Sequence, residues 1–291
     1  MTRTDPAATM APETMAPATE AAVCPRADML FLAADLCAST AYKDHHRALD
    51  AVGRPRWLEA FHAFFDGFPM VLTTRIGLAY MDQEDGDMPE IRVWRTIGDE
   101  IVLRATCDKA RDARLICQGF RDALDGFNNT LDARFGLRVK GAAWLVPVPY
   151  PNIEIVVPEI GDAHHGAAAR EVLGPDMDIG FRVKARTVEG QMAVSLNLAC
   201  RLAQAPGFSV GMLRLLERVP LKGVGDGFAY PMILFAPDAA HADGLIDAES
   251  GAAGPPLPPG LEGTLRLTPA MLTGLAEGYA RATAHTDGGE G

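Results

Sequence analysis

The chain has 291 residues, of which 48% are hydrophobic and 22% are charged, as in an ordinary water-soluble globular protein. Its formal net charge of −11 at pH 7 argues against broad electrostatic binding to DNA or RNA, because neutralising many phosphates needs a basic surface. A small anionic ligand held by a few local Arg and Lys side chains is compatible with this charge.

Cysteine usage and hydropathy indicate where the protein works. An odd number of scattered cysteines without a C-x-x-C pair favours reduced thiols over a disulfide framework or a zinc site: Cys24, Cys37, Cys107, Cys117 and Cys200. The N-terminus lacks an unbroken apolar segment, and no window approaches the roughly eighteen apolar residues of a membrane span. We therefore expect a cytoplasmic protein with neither a membrane nor a nucleic-acid partner.

Composition divides the chain into four parts. Residues 1–25, rich in Ala, Pro, Thr and Met, are expected to be a disordered tail. Residues 26–235 should form the compact domain, and residues 236–260 a linker of Pro, Gly and Ala. Residues 261–291 should comprise a helical appendage, with its helix beginning near Thr268, and a tail.

In the first half of the compact domain, the apolar run at residues 29–34 predicts a central strand that is followed by Asp35. The apolar residues of segment 57–65 share one helical face, which predicts a helix. The two runs of strand formers in VWRTIGDEIVLRA predict a hairpin with Gly98 and Asp99 at its tip.

The longest helical signal covers residues 109–135, where apolar residues recur every three or four positions, and this helix should lie across a sheet. Further strands are predicted in GLRVKGAAWLVPV, NIEIVV, MDIGFRVKA and QMAVSLNLA, then in LKGV and YPMILF. A Gly, Ala and His-rich loop at 161–170 interrupts them. This order predicts an α+β fold with an antiparallel-rich central sheet covered on one side by helices.

Two carboxylates stand at ends of these predicted strands. Asp35 ends the first strand, and Asp99 lies at the tip of a hairpin that could run beside it. Carboxylates brought together repel each other, so their natural partner is a hard divalent cation, and a pair of such ions suits phosphoryl chemistry. The alternative is that Asp99 is a solvated turn residue and Asp35 the N-cap of the following helix.

These pieces, in this order, resemble the class III nucleotidyl cyclases. Residues 35–40 (DLCAST) match the loop that follows the family's first strand, residues 97–99 (IGD) match its hairpin, and residues 221–224 (LKGV) resemble its late strand motif. The resemblance covers roughly residues 28–235. It is closest to the bacterial pyrimidine cyclases of Pycsar anti-phage defence, through DLCASTAYK, WRTIGDEI, MDIGFRV and the closing LKGV and YPMILF.

The resemblance implies a homodimeric uridylate cyclase that converts UTP to cyclic UMP and pyrophosphate, a second messenger for anti-phage defence. It implies that Asp35 and Asp99 bind two divalent ions, Mn or Mg, with the Leu36 backbone carbonyl as a further ligand. Such ions activate the ribose 3′-hydroxyl for in-line attack on the α-phosphate. The loop residues implied to contact the substrate are Cys37, Ser39 and Thr40.

The base-reading residues are also implied by the resemblance. Purine cyclases carry Lys for adenine or Glu for guanine four residues before the hairpin Asp, where this chain has Arg95. Arginine has only donors, so it argues against GTP, but both uracil and cytosine present acceptors, so UTP and CTP are not separated. The alternative for Arg95 is a cross-strand ion pair with an exposed carboxylate. Tyr42 could wall off a small base and favour pyrimidines, or be a packed surface tyrosine.

Three residues are candidates for the cation that stabilises the transition state. Purine cyclases carry Asn-x-x-x-Arg on a helix, and by chain order the equivalent region here is DIGFRVK, with Arg182 preferred over Lys184. Asn197 and Arg201 have the family's spacing but follow the later strand.

In such a dimer each site is shared between subunits, with the metal-binding Asp residues from one and the base reader from the other. Two alternatives to the uridylate cyclase remain: a cytidylate cyclase that makes cyclic CMP, and a non-catalytic cyclase-like domain that binds a nucleotide or a protein partner. Retention of both Asp35 and Asp99 argues against the second, since a binding module needs neither metal.

Overall fold

The computed structural model describes residues 26–81, 87–157, 169–224, 227–236 and 263–284. In these residues an eight-stranded main sheet and a separate two-stranded sheet are combined with helices, which confirms the predicted α+β class. The predicted disordered tail and nearly all of the predicted Pro, Gly and Ala linker lie outside the described residues.

The secondary-structure elements are numbered in chain order. The strands are β1 (Ala27–Leu36), β2 (Ile91–Ile97), β3 (Glu100–Thr106), β4 (Val139–Val148), β5 (Ile153–Val157), β6 (Ala169–Leu173), β7 (Met192–Val194), β8 (Leu213–Pro220), β9 (Ala229–Phe235) and β10 (Leu265–Arg266). The helices are α1 (Ser39–His45), α2 (Leu58–Met81), α3 (Ala110–Phe135), α4 (Pro175–Arg186), α5 (Leu196–Ala203) and α6 (Pro269–Ala284).

The main sheet has the strand order β10-β8-β9-β7-β4-β1-β3-β2. Its neighbours are antiparallel except for the parallel pair β4 and β7, so the predicted antiparallel-rich sheet is confirmed. The predicted central strand is β1, which lies between β3 and β4. The predicted hairpin is β2–β3, and Gly98 at its tip has a φ of 65°, a left-handed conformation that glycine adopts without a steric penalty.

The two faces of β1 bury different side chains. Leu30, Leu32 and Ala34 belong to the larger core that includes α2, α3 and α5. Phe31 and Ala33 face the other way, into a smaller core that the described residues build around Trp144. Because side chains alternate along a strand, Asp35 continues the row of Phe31 and Ala33.

Helix α3 matches its prediction at both ends and crosses the sheet. A Cβ at Gly141 of β4 would lie 2.3 Å from Leu124 Cδ1 of α3, so a glycine lets the helix approach the strand closely. Helix α2 is much longer than the predicted segment. It continues past Pro69 because Phe68, Leu72 and Ile76 extend the buried stripe at four-residue spacing.

The prediction of a strand in MDIGFRVKA is wrong, since this segment forms most of helix α4. Its apolar residues alternate because the helix is buried on two sides. Met177 and Phe181 contact the smaller core around Trp144, whereas Ile179 and Val183 contact the larger core. Residues two apart on a helix lie on nearly opposite sides, so a doubly buried helix imitates the period of a strand.

Two other predicted strands differ in the structure. QMAVSLNLA divides into the short strand β7 and helix α5, because Ser195 ends the strand and caps the helix by accepting a hydrogen bond from the Leu198 N–H. LKGV is a turn between β8 and β9, where Gly223 has a φ of 73°, a conformation that an extended strand does not contain.

The described C-terminal segment joins the main sheet. Strand β10 pairs with β8 and forms one edge of the sheet. Helix α6 packs against α5 and buries Leu272 and Leu275. The predicted helix start is confirmed, since Thr268 Oγ1 accepts a hydrogen bond from the Met271 N–H at 3.3 Å.

Strands β5 and β6 form a hairpin of their own, and Val172 of β6 is buried in the smaller core. Among the described helices, none combines the length and the hydropathy that crossing a bilayer requires. The cysteines in the described ranges are free thiols: Cys37, Cys107, Cys117 and Cys200.

Candidate functional site

Asp35 and Asp99 meet where the central strands end. Strand β3 runs antiparallel to β1, and the Leu36 N–H donates a hydrogen bond to the Asp99 backbone carbonyl at 3.2 Å. This bond ties the tip of the β2–β3 hairpin to the end of β1. The prediction that the hairpin runs beside the first strand is therefore confirmed.

A single pocket contains both carboxylates. The loop residues Leu36, Cys37, Ser39 and Thr40 line it with them. The remaining lining comes from the loop itself, from β4 and from the segment after α4: Ala38, Lys140, Thr187, Val188 and Glu189. The structure thus brings together the predicted metal ligands and the predicted loop contacts.

The hydroxyl of Ser39 and the start of α1 decide one of the alternatives. Ala38, not Asp35, is the N-cap residue of α1, so the interpretation of Asp35 as a helix cap is wrong. The half-buried Asp99 accepts a hydrogen bond from Ser39 Oγ, which orients its carboxylate toward the loop. Neither carboxylate has the surroundings of a merely solvated turn.

Charged side chains form a row across three strands beside this pocket. In the sheet register Asp35 is opposite Glu100 of β3 on one side and opposite Lys140 of β4 on the other. The ammonium of Lys140 lies 3.4 Å from Asp35 Oδ2. From helix α4, Lys184 Nζ donates a hydrogen bond to Glu100 Oε2 at 2.5 Å.

Burial dominates the electrostatics of this row. It raises the pKa of Asp35 above its ordinary value, against the opposing charge of Lys140 and with a further contribution from Asp99. Burial also raises the pKa of Glu100, against the opposing charge of Lys184. A desolvated group of carboxylates favours the close approach of cations.

The donor set of the pocket suits a hard divalent ion. Asp35 and Asp99 offer carboxylate oxygens, and the backbone at Leu36 adds a carbonyl, a combination preferred by Mg and Mn and not by Zn. Within the described part of the chain, three or more His, Cys, Asp or Glu side chains nowhere converge as a metal cluster. A site here would therefore depend on two carboxylates completed by oxygens of the backbone and of a ligand.

The three candidate cations lie in different places. Lys184 points at the carboxylate row through its bond to Glu100. Arg182 Nη1 lies 3.9 Å from Asp178 one turn earlier on α4. Arg201 binds Asp28, at the opposite end of β1 from Asp35, and so lies away from the pocket.

Arg95 is held by an ion pair. Its guanidinium binds Glu171 of β6 and stacks on the Trp94 ring, with 3.8 Å between the guanidinium carbon and the ring centroid. This ion pair differs from the predicted alternative, since Glu171 belongs to the separate β5–β6 sheet and is half-buried, not an exposed carboxylate across the strand. Among the described residues that line the carboxylate pocket, Arg95 is absent.

Tyr42 is also absent from the described lining of the pocket. Its ring lies 4.2 Å, centroid to centroid, from the ring of His46, and its body packs on the larger core. Burial and the charge of Glu59 raise the pKa of its hydroxyl.

Sequence reasoning missed Glu100, Lys140, Lys184 as a partner of Glu100, and Glu171. The signal for Glu100 was in the motif Gly-Asp-Glu itself, since the first residue of a buried strand is seldom a carboxylate without a partner. Lys140 has no such signal, because its closeness to Asp35 follows from strand register.

Comparison with solved structures shows which known folds the chain resembles. The chain is similar to the guanylate cyclase domain of RhGC from Catenaria anguillulae in complex with GTP, with 11% identity, a TM-score of 0.50, and coverage of 74% of this chain and 100% of that one. It is also similar to the guanylyl cyclase Cya2, with 16% identity, a TM-score of 0.47 and coverage of 72% and 91%. The adenylyl cyclase CyaB from P. aeruginosa is similar as well, with 14% identity, a TM-score of 0.48, and coverage of 74% of this chain and 96% of that one.

No protein-family description matches the sequence, and no curated protein matches it either. The likeness to the RhGC domain spans that domain entirely, and at this level of identity it concerns the fold. The predicted class III nucleotidyl cyclase-like fold is confirmed.

Proposed function

We propose that this chain is a nucleotidyl cyclase that converts UTP to cyclic UMP and pyrophosphate. The observation that carries the proposal is the meeting of Asp35 and Asp99 in one pocket at the end of the central strands, in a fold of the class III cyclase type. A binding module would need neither carboxylate, and burying two carboxylates side by side is costly.

In the reaction the ribose 3′-oxygen forms a bond to the α-phosphorus, and the bond from that phosphorus to the pyrophosphate oxygen breaks. The hydroxyl proton leaves to solvent. Two divalent ions, Mn or Mg, when held by Asp35, Asp99 and the Leu36 carbonyl, supply activation of the 3′-hydroxyl and charge neutralisation of pyrophosphate.

The chain's own residues orient the reactants. Ser39 fixes the Asp99 carboxylate by donating to it, and Cys37 and Thr40 line the same pocket, where the triphosphate would lie. Arg182 is the cation that chain order favours for the transition state. Its Nη1 is buried and has no hydrogen-bond partner within the described residues, so it retains donor capacity.

The base would be read by Arg95, with Glu171 beside it. The pair offers guanidinium donors next to a carboxylate acceptor. The uracil edge carries the O4 acceptor next to the N3–H donor, which this pair complements. Guanine O6 and N1–H present the same pattern, so with Glu171 as a reader the rejection of GTP would depend on the size of the base. Cytosine also presents acceptors to Arg95, so a cytidylate cyclase is the second candidate. Tyr42 remains a proposed wall against the larger purines.

The absence of Arg95 from the described lining of the carboxylate pocket supports a homodimer with shared sites. Arg95 pairs with Glu171 on the β5–β6 side of the sheet and does not belong to the described lining of the pocket. One subunit would supply Asp35 and Asp99, and the partner subunit the base reader. A cytoplasmic role in anti-phage defence, with the cyclic nucleotide as second messenger, is the extension of the proposal that the resemblance supports.

The experiment is to incubate the purified chain with Mn and each of the four nucleoside triphosphates and to identify products by mass spectrometry. The proposal expects cyclic UMP as the main product. Cyclic CMP as the main product supports the second candidate. Binding of a nucleotide without any cyclic product supports a non-catalytic cyclase-like domain and overturns the proposal.

A further inference from the structure

Glu100 is a buried carboxylate beside the pocket that the chemistry above does not use. The side chain of Glu100 is 4% exposed, whereas the side chains of Asp35 and of Lys184, the ion-pair partner of Glu100, are each 17% exposed. One oxygen, Oε2, accepts from the Lys184 ammonium, and Oε1 is buried without a hydrogen-bond partner in the described part of the chain. An unpaired buried carboxylate oxygen is unfavourable for folding, which points to another reason for its position.

The surroundings fix where the Lys184 ammonium can be. Helix α4 is pressed onto β4, since a Cβ at Gly180 would lie only 2.3 Å from Trp144 Cγ. Lys184, one turn after Gly180 on the same helix, donates its hydrogen bond to Glu100 from this fixed position. Glu100 is opposite Asp35 in the sheet register, and the charge of Lys184 acts on both carboxylates, so the ammonium lies within electrostatic reach of Asp35.

The Lys184 ammonium keeps hydrogen-bond donors that an anion can use. Two ammonium groups, Lys140 and Lys184, face three carboxylates, Asp35, Asp99 and Glu100, so the group has a formal charge of −1 that the divalent ions of the proposed function would have to offset before an anion binds. An ammonium has three N–H donors, and the described hydrogen bonds of Lys184 Nζ use one, to Glu100. The other two suit phosphate oxygens.

We propose that Glu100 is a positioning residue that holds the Lys184 ammonium beside Asp35 and Asp99, where Lys184 contacts the triphosphate of the substrate. This inference deepens the proposed function and rests on it. Glu100 acts through Lys184 and touches neither the substrate nor the metal ions.

The direction in which Glu100→Gln changes anion binding separates a positioning role from a simple electrostatic effect of the Glu100 charge. Removing a negative charge near a triphosphate should by itself strengthen the binding of the anion. If Glu100 instead positions Lys184, its neutral isostere should weaken binding, because the ammonium loses its fixed place. The two explanations therefore predict opposite changes for Glu100→Gln.

The test measures binding of inorganic tripolyphosphate in the presence of Mn by calorimetry, in wild type, Glu100→Gln, Lys184→Met and the double variant. We expect Lys184→Met to weaken binding about ten- to a hundredfold, as the loss of a charge-assisted hydrogen bond does. Glu100→Gln should weaken it in the same direction, and the double variant should be no weaker than Lys184→Met alone. Arg186→Met, which removes a half-exposed cation from the same helix, is the matched control and should bind as wild type does.

Three results would overturn the inference. The first is unchanged or tighter tripolyphosphate binding in Glu100→Gln, and the second is a loss of affinity in the double variant equal to the sum of the two single losses. The third is a loss of Mn binding in Glu100→Gln alone, which would make Glu100 a metal ligand. If a single variant fails to fold, the double variant, which removes both buried charges, is compared with wild type, and unchanged affinity contradicts the inference. Because this binding needs no turnover, a wild type that binds tripolyphosphate through Lys184 but makes no cyclic nucleotide overturns the proposed function and leaves the inference standing.

Discussion

At the scale of single residues, the account depends on Asp35 and Asp99. We expect Asp35→Asn and Asp99→Asn each to reduce cyclisation at least about a hundredfold, because each removes a metal ligand from a site with few protein ligands. The folded state should persist, since burial already disfavours the charged form of Asp35. Initial rates with Mn and a thermal melt measure the two effects.

The matched control is Asp66→Asn, which neutralises an exposed carboxylate on α2, 80% exposed, and should leave both rate and melting temperature unchanged. Full activity of Asp35→Asn or Asp99→Asn, with normal dependence on Mn, would contradict the two-metal interpretation.

The choice of base is also a matter of single residues. Arg95→Ala should lower kcat/KM for the preferred pyrimidine about ten- to a hundredfold, because it removes charge-assisted hydrogen bonds to the base. Tyr42→Ala should instead raise relative activity on ATP by admitting a larger base. The measurement is kcat/KM for UTP, CTP and ATP in wild type and both variants. Ratios that stay the same in both would place base selection elsewhere.

Single residues also show what could be predicted of the site. Asp35 and Asp99 could be found because each directly follows or precedes a run of strand formers, and a hairpin places such ends together. The ion pairs of Glu100 with Lys184 and of Arg95 with Glu171 join residues 84 and 76 positions apart. Pairs so distant depend on tertiary packing, for which local pattern carries no information.

At the scale of elements, helix α4 connects the fold with the site. It is wedged between both cores and carries Arg182 and Lys184 on its last turns. Its position depends on Gly180, where the Trp144 ring leaves no space for a side chain. The contact of α4 with β4 should therefore be sensitive to one methyl group.

We expect Gly180→Ala to destabilise the protein by about 1–3 kcal/mol, the cost of overpacking a filled core, and to lower activity by displacing Lys184. Urea unfolding and initial rates measure the two effects. The control is Gly77→Ala in α2, where an added Cβ meets no atom within 4 Å and should stabilise the helix by about 0.5–1 kcal/mol. Equal effects of the two changes would show that α4 does not pack on Trp144 as described.

Prediction from sequence succeeded for a helix with one buried face and failed for a helix buried on two sides. Helix α3 has a single apolar stripe at helical spacing, and its bounds were predicted closely. Helix α4 alternates like a strand because Met177 and Phe181 point to one core and Ile179 and Val183 to the other. The turn at 221–224 was predicted as a strand because its apolar ends give no sign of the left-handed Gly223 between them.

At the scale of the whole molecule, the absence of Arg95 from the described lining of the carboxylate pocket leads us to predict that two chains complete each site. A mixture of Asp99→Ala and Arg95→Ala chains should show more activity than either variant alone, because one site of a mixed dimer contains both intact functions. Random exchange makes about half of the dimers mixed, each with one intact site, so recovery should approach about a quarter of the wild-type rate. Subunit exchange is verified by native mass spectrometry. Mixed dimers without activity would place each site within one chain.

The most direct test of the central claim follows UTP turnover by the wild-type chain with Mn, quantifying cyclic UMP and pyrophosphate together. The account predicts that the two appear in equal amounts as UTP disappears, and that neither forms with Asp99→Asn. Pyrophosphate without a cyclic product, or UTP left unchanged by a folded dimer that also leaves CTP unchanged, would contradict it.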